Sequence, residues 1–243
     1  MISTIEEFIE EFNKIKAMGW IKTHRAGPTG VGKTLEDLLG IEENNLDQPD
    51  FGSYELKSKR FNSGSMLTIF TKTPQPPKAN LHLLNKYGYQ SDAYDNDEKV
   101  LHTTLTAKKF VPISDTGSSL KIKCDDKKIW IASSSEDENA YWDKDKLKKA
   151  FEKKYKHEFV YAYADSRMVN GTEEFLFKEA YVMSGFSYED FIRLLAEGKI
   201  FIDLRMGQYH EGKKKGKLHD HGTAFRIKES DEDDLFKVKK KIA

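Results

Sequence analysis

The chain has 243 residues, enough for one large domain or two packed lobes with a real core. Hydrophobic residues make up 38% and charged residues 33%, and 15 Phe, 11 Tyr and 3 Trp call for a packed interior, which excludes a disordered or fibrous chain. Forty basic residues balance forty acidic ones, so bulk charge selects no partner, and the single cysteine, Cys124, excludes an intrachain disulfide framework and suits a reducing cytoplasm.

Ile5, Phe8, Ile9, Phe12, Ile15 and Met18 recur at helical spacing, and Ser3 with Glu6 predicts a capping box. The opening Met1-Ile2-Ser3-Thr4 thus leads into a helix and lacks the apolar core of a signal peptide. No apolar run approaches the ~18 residues of a membrane span. A glycine-rich turn follows over 27–32, then a short helix starting near Thr34 that carries Leu35, Leu38 and Leu39 and stops at Gly40. Strands are predicted over 54–57 and 65–70, the second ended by Pro74, Pro76 and Pro77. Residues 81–115 give a weak, loop-rich signal. Alternation predicts a hairpin from 120–124 and 129–132, with Cys124 on a strand face. A helix is expected over 143–155 with Leu147, Ala150 and Phe151 inward, then a strand over 159–164. Ser187 caps a helix that Gly198 ends, and late strands are expected over 199–206 and 223–228. The mixed pattern predicts an α/β or α+β fold with strands drawn from both ends of the chain.

Local charge is more telling than the total. Residues 33–55 carry a net six negative charges and residues 205–228 a net five positive ones. An acidic segment suits a cation and a basic one an anion, although solvated charge fits the same composition. Within the acidic segment, Glu55 and Lys57 alternate with Leu56, so they share a strand face while Leu56 points to the core. Asp50 lies one short turn upstream, and Gly52 lets the backbone bend back. Two carboxylates and an ammonium then converge, with Glu36 as a possible third carboxylate from the short helix. Such hard oxygen ligands suit Mg2+, which polarises a phosphate and activates water, while Lys57 orients that water and offsets transition-state charge. A surface strand with ordinary charges has the same spacing.

Residues 27–34, GPTGVGKT, match the phosphate-binding loop pattern in full, and Asp203 after Ile200-Phe201-Ile202 imitates a magnesium aspartate. A P-loop NTPase is the rival reading. Its loop must follow a buried strand, whereas only Trp20 and Ile21 are apolar in the preceding stretch, and the following helix is short. Near the other end, His219 and His221 lack the further ligands of a zinc site. Arg205, His219 and Arg226 suit base edges, and Lys213, Lys214, Lys215 and Lys217 suit phosphates. A flexible basic loop is the plainer alternative.

Residues 30–39 (GVGKTLEDLL), 45–51 (NLDQPDF), Glu55-Leu56-Lys57, 67–72 (LTIFTK) and 212–226 (GKKKGKLHDHGTAFR) resemble the MvaI/BcnI restriction endonucleases. The likeness is strong over 20–75 and 199–227 and thin over 90–185, and Gln48 and residues 61–65 depart from the family pattern. The Glu-Leu-Lys spelling also occurs in the related mismatch-repair nickase MutH, so a nicking repair enzyme is a second expectation. The resemblance implies a PD-(D/E)XK core, a catalytic lobe over 1–110 and a DNA-recognition lobe over 111–243, with late strands able to pack against the first. It implies catalysis by Asp50, Glu55 and Lys57, with Asp50, Glu55 and Glu36 at the metal. Asp203, Arg205, Tyr209, His219 and Arg226 then fall where the family reads bases of double-stranded DNA, with His219 matching a residue near the central pair and His221 binding DNA beside them. A monomer with one active site would cut a short CC-x-GG sequence, CCWGG favoured, one strand at a time, in a cytoplasm that can also hold a companion methyltransferase.

Overall fold

The computed structural model of the chain describes residues 2–41, 49–61, 64, 66–91, 98–114, 116–135, 138–220 and 222–243. Helix α1 (Ile5–Ala17) is followed by strand β1 (Ile21–Lys22), helix α2 (Gly30–Leu38) and strand β2 (Tyr54–Arg60). Next come β3 (Leu67–Thr71), α3 (Ala79–Tyr87), β4 (Tyr89–Gln90), β5 (Lys99–Leu105), β6 (Val111–Pro112), β7 (Ser119–Cys124), β8 (Lys128–Ser133) and β9 (Glu138–Asp143). Helix α4 (Lys144–Lys154) leads to the long strands β10 (Glu158–Val169) and β11 (Thr172–Ser184). Helix α5 (Tyr188–Ala196) precedes β12 (Ile200–Gln208), β13 (Leu218–Asp220), β14 (Ala224–Ile227) and β15 (Val238–Lys241). The fold is mixed α+β. Among the described residues, no helix is long and apolar enough to cross a membrane.

The chain forms two compact units, one of Met1–Ser65, Lys154–Phe186 and Asp233–Ala243, the other of Met66–Lys153 and Ser187–Glu232. A single boundary near residue 110 does not describe them. The reason is topological: β2 pairs in parallel with β10, and a parallel pair needs a crossover connection. Here that crossover contains a large part of the second unit.

In the first unit the strands run in the order β1-β11-β10-β2, with β15 also paired to β11. One sheet face carries Leu56, Val160, Ala162, Ala164, Phe175 and Phe177 and packs against Phe8, Phe12 and Ile15 of α1 and Val31 and Leu35 of α2. Helix α1 is capped by Thr4 with Glu7, one residue beyond the expected Ser3–Glu6 pair, while Ser3 Oγ donates to the same Glu7 carboxylate at 2.8 Å. Helix α2 starts at Gly30, four residues before the expected Thr34, because the last glycines of the turn are already helical. A Cβ on Gly30 would lie 2.4 Å from the Arg25 carbonyl oxygen, so this close crossing requires glycine.

In the second unit one sheet runs β3-β14-β12-β5-β4, with β13 also paired to β12, and another runs β6-β7-β8-β9. Phe70, Phe225 and Phe191 form its aromatic centre, with Phe151 of α4 5.4 Å from Phe191 and Trp142 5.3 Å from Phe225. The weak stretch over 81–115 holds most of α3 and all of β4, β5 and β6, and β9 and β11 also escaped the sequence pattern. Lys239, Lys240 and Lys241 line the exposed strand β15, a charged edge that discourages pairing with other chains.

Candidate functional site

Strand β2 ends the sheet order of the first unit, so among the described residues only its β10 side is paired. Alternation sends Leu56 into the core at 5% exposure and turns Glu55 and Lys57 to the other face, as expected. Lys57 Nζ donates to Glu55 Oε1 at 2.5 Å, and their side chains are 37% and 30% exposed. Asp50 joins them through a tight turn. Phe51 is buried and stacks on Phe8 at 5.4 Å, Tyr54 N–H donates to the Phe51 carbonyl at 2.8 Å, and Gly52 takes φ +52°. A Cβ at Gly52 would stand 2.8 Å from the Ser3 carbonyl oxygen, so the bend that delivers Asp50 requires glycine.

Asp50 Oδ2 accepts the Leu56 N–H at 2.7 Å. Burial pushes the Asp50 carboxyl above its ordinary range; the Leu56 N–H opposes this, the Glu55 charge adds to it, and Lys57 opposes it. The two carboxylates are therefore close enough to feel each other, and burial costs Asp50 more than the Leu56 N–H and the Lys57 charge return. This hard-oxygen pair fits a divalent cation that keeps several waters. Among the described residues no group of three or more His, Cys, Asp and Glu side chains gathers as a metal cage, so Glu36 does not close a third corner. It instead lines an open pocket of about 350 Å3 with Arg25, Thr29, Lys33, Lys57 and Ser58.

Sequence reasoning passed over Lys154, at the end of α4. Burial, then repulsion from Lys57, lowers its pKa, and Glu55 opposes the shift. The residue is exposed as a whole, which limits the burial part, and Lys154 lies within reach of the charges of the Glu55–Lys57 pair. Lysines on an exposed helix are common, and nothing in the sequence set this one apart.

The GPTGVGKT segment does not build a phosphate nest. The Gly30 N–H donates to the Gly27 carbonyl at 3.0 Å and the Lys33 N–H to the Thr29 carbonyl at 3.1 Å. Lys33 Nζ pairs with Asp37 at 2.8 Å. The Gly27 and Pro28 carbonyls accept from Arg60 at 3.1 and 2.9 Å, which ties the turn to β2. A P-loop needs those N–H groups and that lysine directed at a ligand.

In the second unit, Asp203 and Arg205 lie on β12 with two-residue spacing, while Ile202, Leu204 and Met206 fill the core. Asp203 is 2% exposed and its carboxylate is saturated. It accepts from Thr104 Oγ1 at 2.7 Å, Arg226 Nη1 at 2.8 Å and Arg205 Nε at 3.2 Å. Asp203 therefore stands behind the two guanidiniums as their holder, with Thr104 as a partner the sequence did not reveal. A register shift at Phe225/Arg226 re-aims Arg226, whose Nη2 donates to the Met66 carbonyl at 2.8 Å.

Tyr209 and His219 stack with ring centroids 4.3 Å apart, and Lys214 Nζ lies 5.4 Å from the Tyr209 ring. Lys213, Lys214, Lys215 and Lys217 are all exposed on the turn between β12 and β13, with Lys215 Nζ 3.6 Å from the buried Glu98 carboxylate. His221 lies outside the described residues.

No curated protein gives a significant sequence match. Solved structures do. "Restriction endonuclease MvaI-cognate DNA substrate complex" is 34% identical with a TM-score of 0.83, and covers 100% of each chain. "Restriction endonuclease MvaI in the absence of DNA" is 32% identical with a TM-score of 0.61, over 100% of this chain and 99% of that one. The family model described as MvaI/BcnI restriction endonuclease family matches residues 9–236. A match over nearly the whole chain, joined to full-length structural likeness at this identity, means that the chain belongs to the MvaI/BcnI restriction endonuclease family and is a site-specific DNA nuclease.

Proposed function

We propose that this chain is a magnesium-dependent type II restriction endonuclease with a PD-(D/E)XK centre, whose first unit cuts and whose second unit reads double-stranded DNA. The observation that carries the reading is the Asp50–Glu55–Lys57 cluster at the start of β2, with Lys57 on Glu55, the Leu56 N–H on Asp50, and the Asp50 carboxyl pushed up by burial. Asp50 and Glu55 would hold the metal, with Glu36 as a further carboxylate for it. When bound, magnesium withdraws charge from the phosphate and raises the hydroxide fraction of water. Lys57, positioned by Glu55, orients the attacking water and offsets negative charge as the phosphorus becomes five-coordinate. The water oxygen gives a proton to solvent as it bonds to phosphorus, and the bond to the 3′ oxygen breaks. That oxygen takes a proton from solvent water, leaving 5′-phosphate and 3′-hydroxyl ends.

Arg205 and Arg226, held by Asp203, present forks that match guanine O6 and N7. Tyr209 and His219 complete the base-reading set, with His219 near the central pair; His221 binds DNA beside them, and Lys213, Lys214, Lys215 and Lys217 contact phosphates. The target is a short CC-x-GG sequence, CCWGG favoured. A monomer with one active site cuts its two strands in turn, in a cytoplasm where a companion methyltransferase protects the host. The solved MvaI complex with cognate DNA supports this reading by likeness. Digestion of unmethylated plasmid with and without magnesium, followed by end-sequencing, tests it. The expected result is one short site, a nicked intermediate before linear product, and no product from Glu55→Ala. Random ends, or cleavage retained in Glu55→Ala, would refute it.

A further inference from the structure

We infer that Asn80 is a positioning residue for the base-reading edge, locking the turn between β13 and β14 so that His219 faces outward. The inference rests on the proposed role of residues 203–226 in reading DNA. In β13, His219 opposes Gly207 and Asp220 opposes Met206 of β12. Neighbouring strand residues face opposite sides, so fixing the side of one fixes the other. His219 lies on Tyr209. Asp220 turns the other way, and Asn80 Nδ2 donates to its Oδ2 at 2.6 Å. Asp220 Oδ1 accepts the Gly222 N–H at 2.8 Å. The Thr223 hydroxyl lies 3.1 Å from Asn80 Nδ2 and 3.3 Å from Asn80 Oδ1. One amide thus spans the corner from residue 220 to residue 223.

Gly222 has φ +92°, and a Cβ there would stand 2.7 Å from Thr71 Cγ2. The Thr223 carbonyl accepts the Lys72 N–H at 3.0 Å. Asn80 is 2% exposed and Thr223 fully buried, so water has little access to replace a lost partner. The position needs a donor for a carboxylate and a group able to pair with a hydroxyl, which an amide provides and an apolar residue does not. An aspartate would set carboxylate against carboxylate. Released from Asn80, Asp220 can turn to solvent, and a one-residue slip of β13 would exchange the sides of His219 and Asp220.

The test uses the full chain with magnesium on duplexes that carry CCAGG or CCCGG, which differ at the central pair. For the wild type, Asn80→Asp, and the swapped Asn80→Asp/Asp220→Asn, kcat and KM are measured on both duplexes beside the unfolding temperature. Asn80→Asp is expected to lower the CCAGG-to-CCCGG ratio of kcat/KM by about tenfold. The swap restores the hydrogen bonds with the polarity reversed and should recover that ratio, which a change in stability alone would not do. A folded Asn80→Asp that discriminates as the wild type does overturns the inference while leaving the DNA-reading role standing. So does a folded swap that fails to recover discrimination; the swap remains decisive if Asn80→Asp does not fold. Equal cutting of both duplexes by the wild type would remove the central-pair reading itself, and this inference with it.

Discussion

Asp50 and Asp203 sit at the two candidate sites in opposite states of compensation. Asp203 is enclosed, and two guanidiniums and a hydroxyl satisfy it. Asp50 has lost much of its water, accepts one backbone N–H, and lies within the field of Glu55. A carboxylate whose burial costs more than its neighbours return favours any ligand that brings further positive charge. A carboxylate already saturated cannot take a new partner without stranding an old one, and so it acts by aligning the groups it holds. The candidate cutting centre thus holds a carboxylate whose burial a bound cation would offset, whereas the Asp203 carboxylate is already paired and keeps two arginines in one orientation.

The comparison breaks most readily at Asp50. Asp50→Asn is expected to reduce plasmid cleavage by at least about a thousandfold, because the amide keeps the Leu56 contact but lacks the charge. Its effect on stability without metal should have the opposite sign. Asp50 has a raised folded pKa, so ionisation penalises the native state above that pKa, and the penalty eases as pH falls through it. The uncharged amide of Asp50→Asn removes the penalty. Thermal unfolding in a chelator near neutral pH should therefore show Asp50→Asn at or above the wild-type temperature. A clear drop would mean that Asp50 is compensated after all.

At Asp203 both quantities should fall together. Asp203→Ala leaves Arg226 and Arg205 without their shared partner, at a cost of about 3 kcal/mol if the site behaves as a buried pair. Arg205 is 43% exposed and recovers part of its solvation, so Arg226 carries most of the loss. Urea unfolding of Asp203→Ala, Arg226→Met and the double variant measures the coupling. A double variant as unstable as the sum of the two singles would show that Asp203 does not hold Arg226.

The same contrast explains what could be read from the sequence. The Asp50 centre is local: a turn and one strand, with glycine at the bend and alternation setting the faces, so residues 50–57 were legible once a strand was inferred. The P-loop pattern in residues 27–34 was legible too, but its chemistry depends on which N–H groups remain unused, and those are taken up within the turn. The Asp203 centre is assembled from β12, β14 and β5, and Thr104 lies in the stretch whose signal was weak. Its pattern could not be seen, because short strands such as β4 and β6 have no period to detect. Helix α3, which supplies Asn80, follows prolines and begins after a residue in the left-handed region, Lys78 at φ 66°, without a side-chain cap. The two-unit division was illegible for a related reason: a parallel pairing across about a hundred residues leaves no local mark.

The smallest expected effect concerns the lysines that follow Tyr209. They differ from Arg205 and Arg226 in being exposed on a turn, where a charge adds affinity but no sequence information. Lys213→Ala and Lys217→Ala should each reduce the slope of log K against log salt by about 0.9, while the ratio of cognate to mismatched cleavage stays unchanged. Lys215 provides the internal control. Its ammonium lies 3.6 Å from Glu98, a carboxylate only 9% exposed, so part of its charge is already offset before any phosphate arrives. Lys215→Ala should accordingly change the slope less than its neighbours do. If it changed the slope equally, Glu98 would exert no hold on the loop in the bound state; if any of the three altered discrimination, the separation of phosphate contact from base reading would fail at that residue.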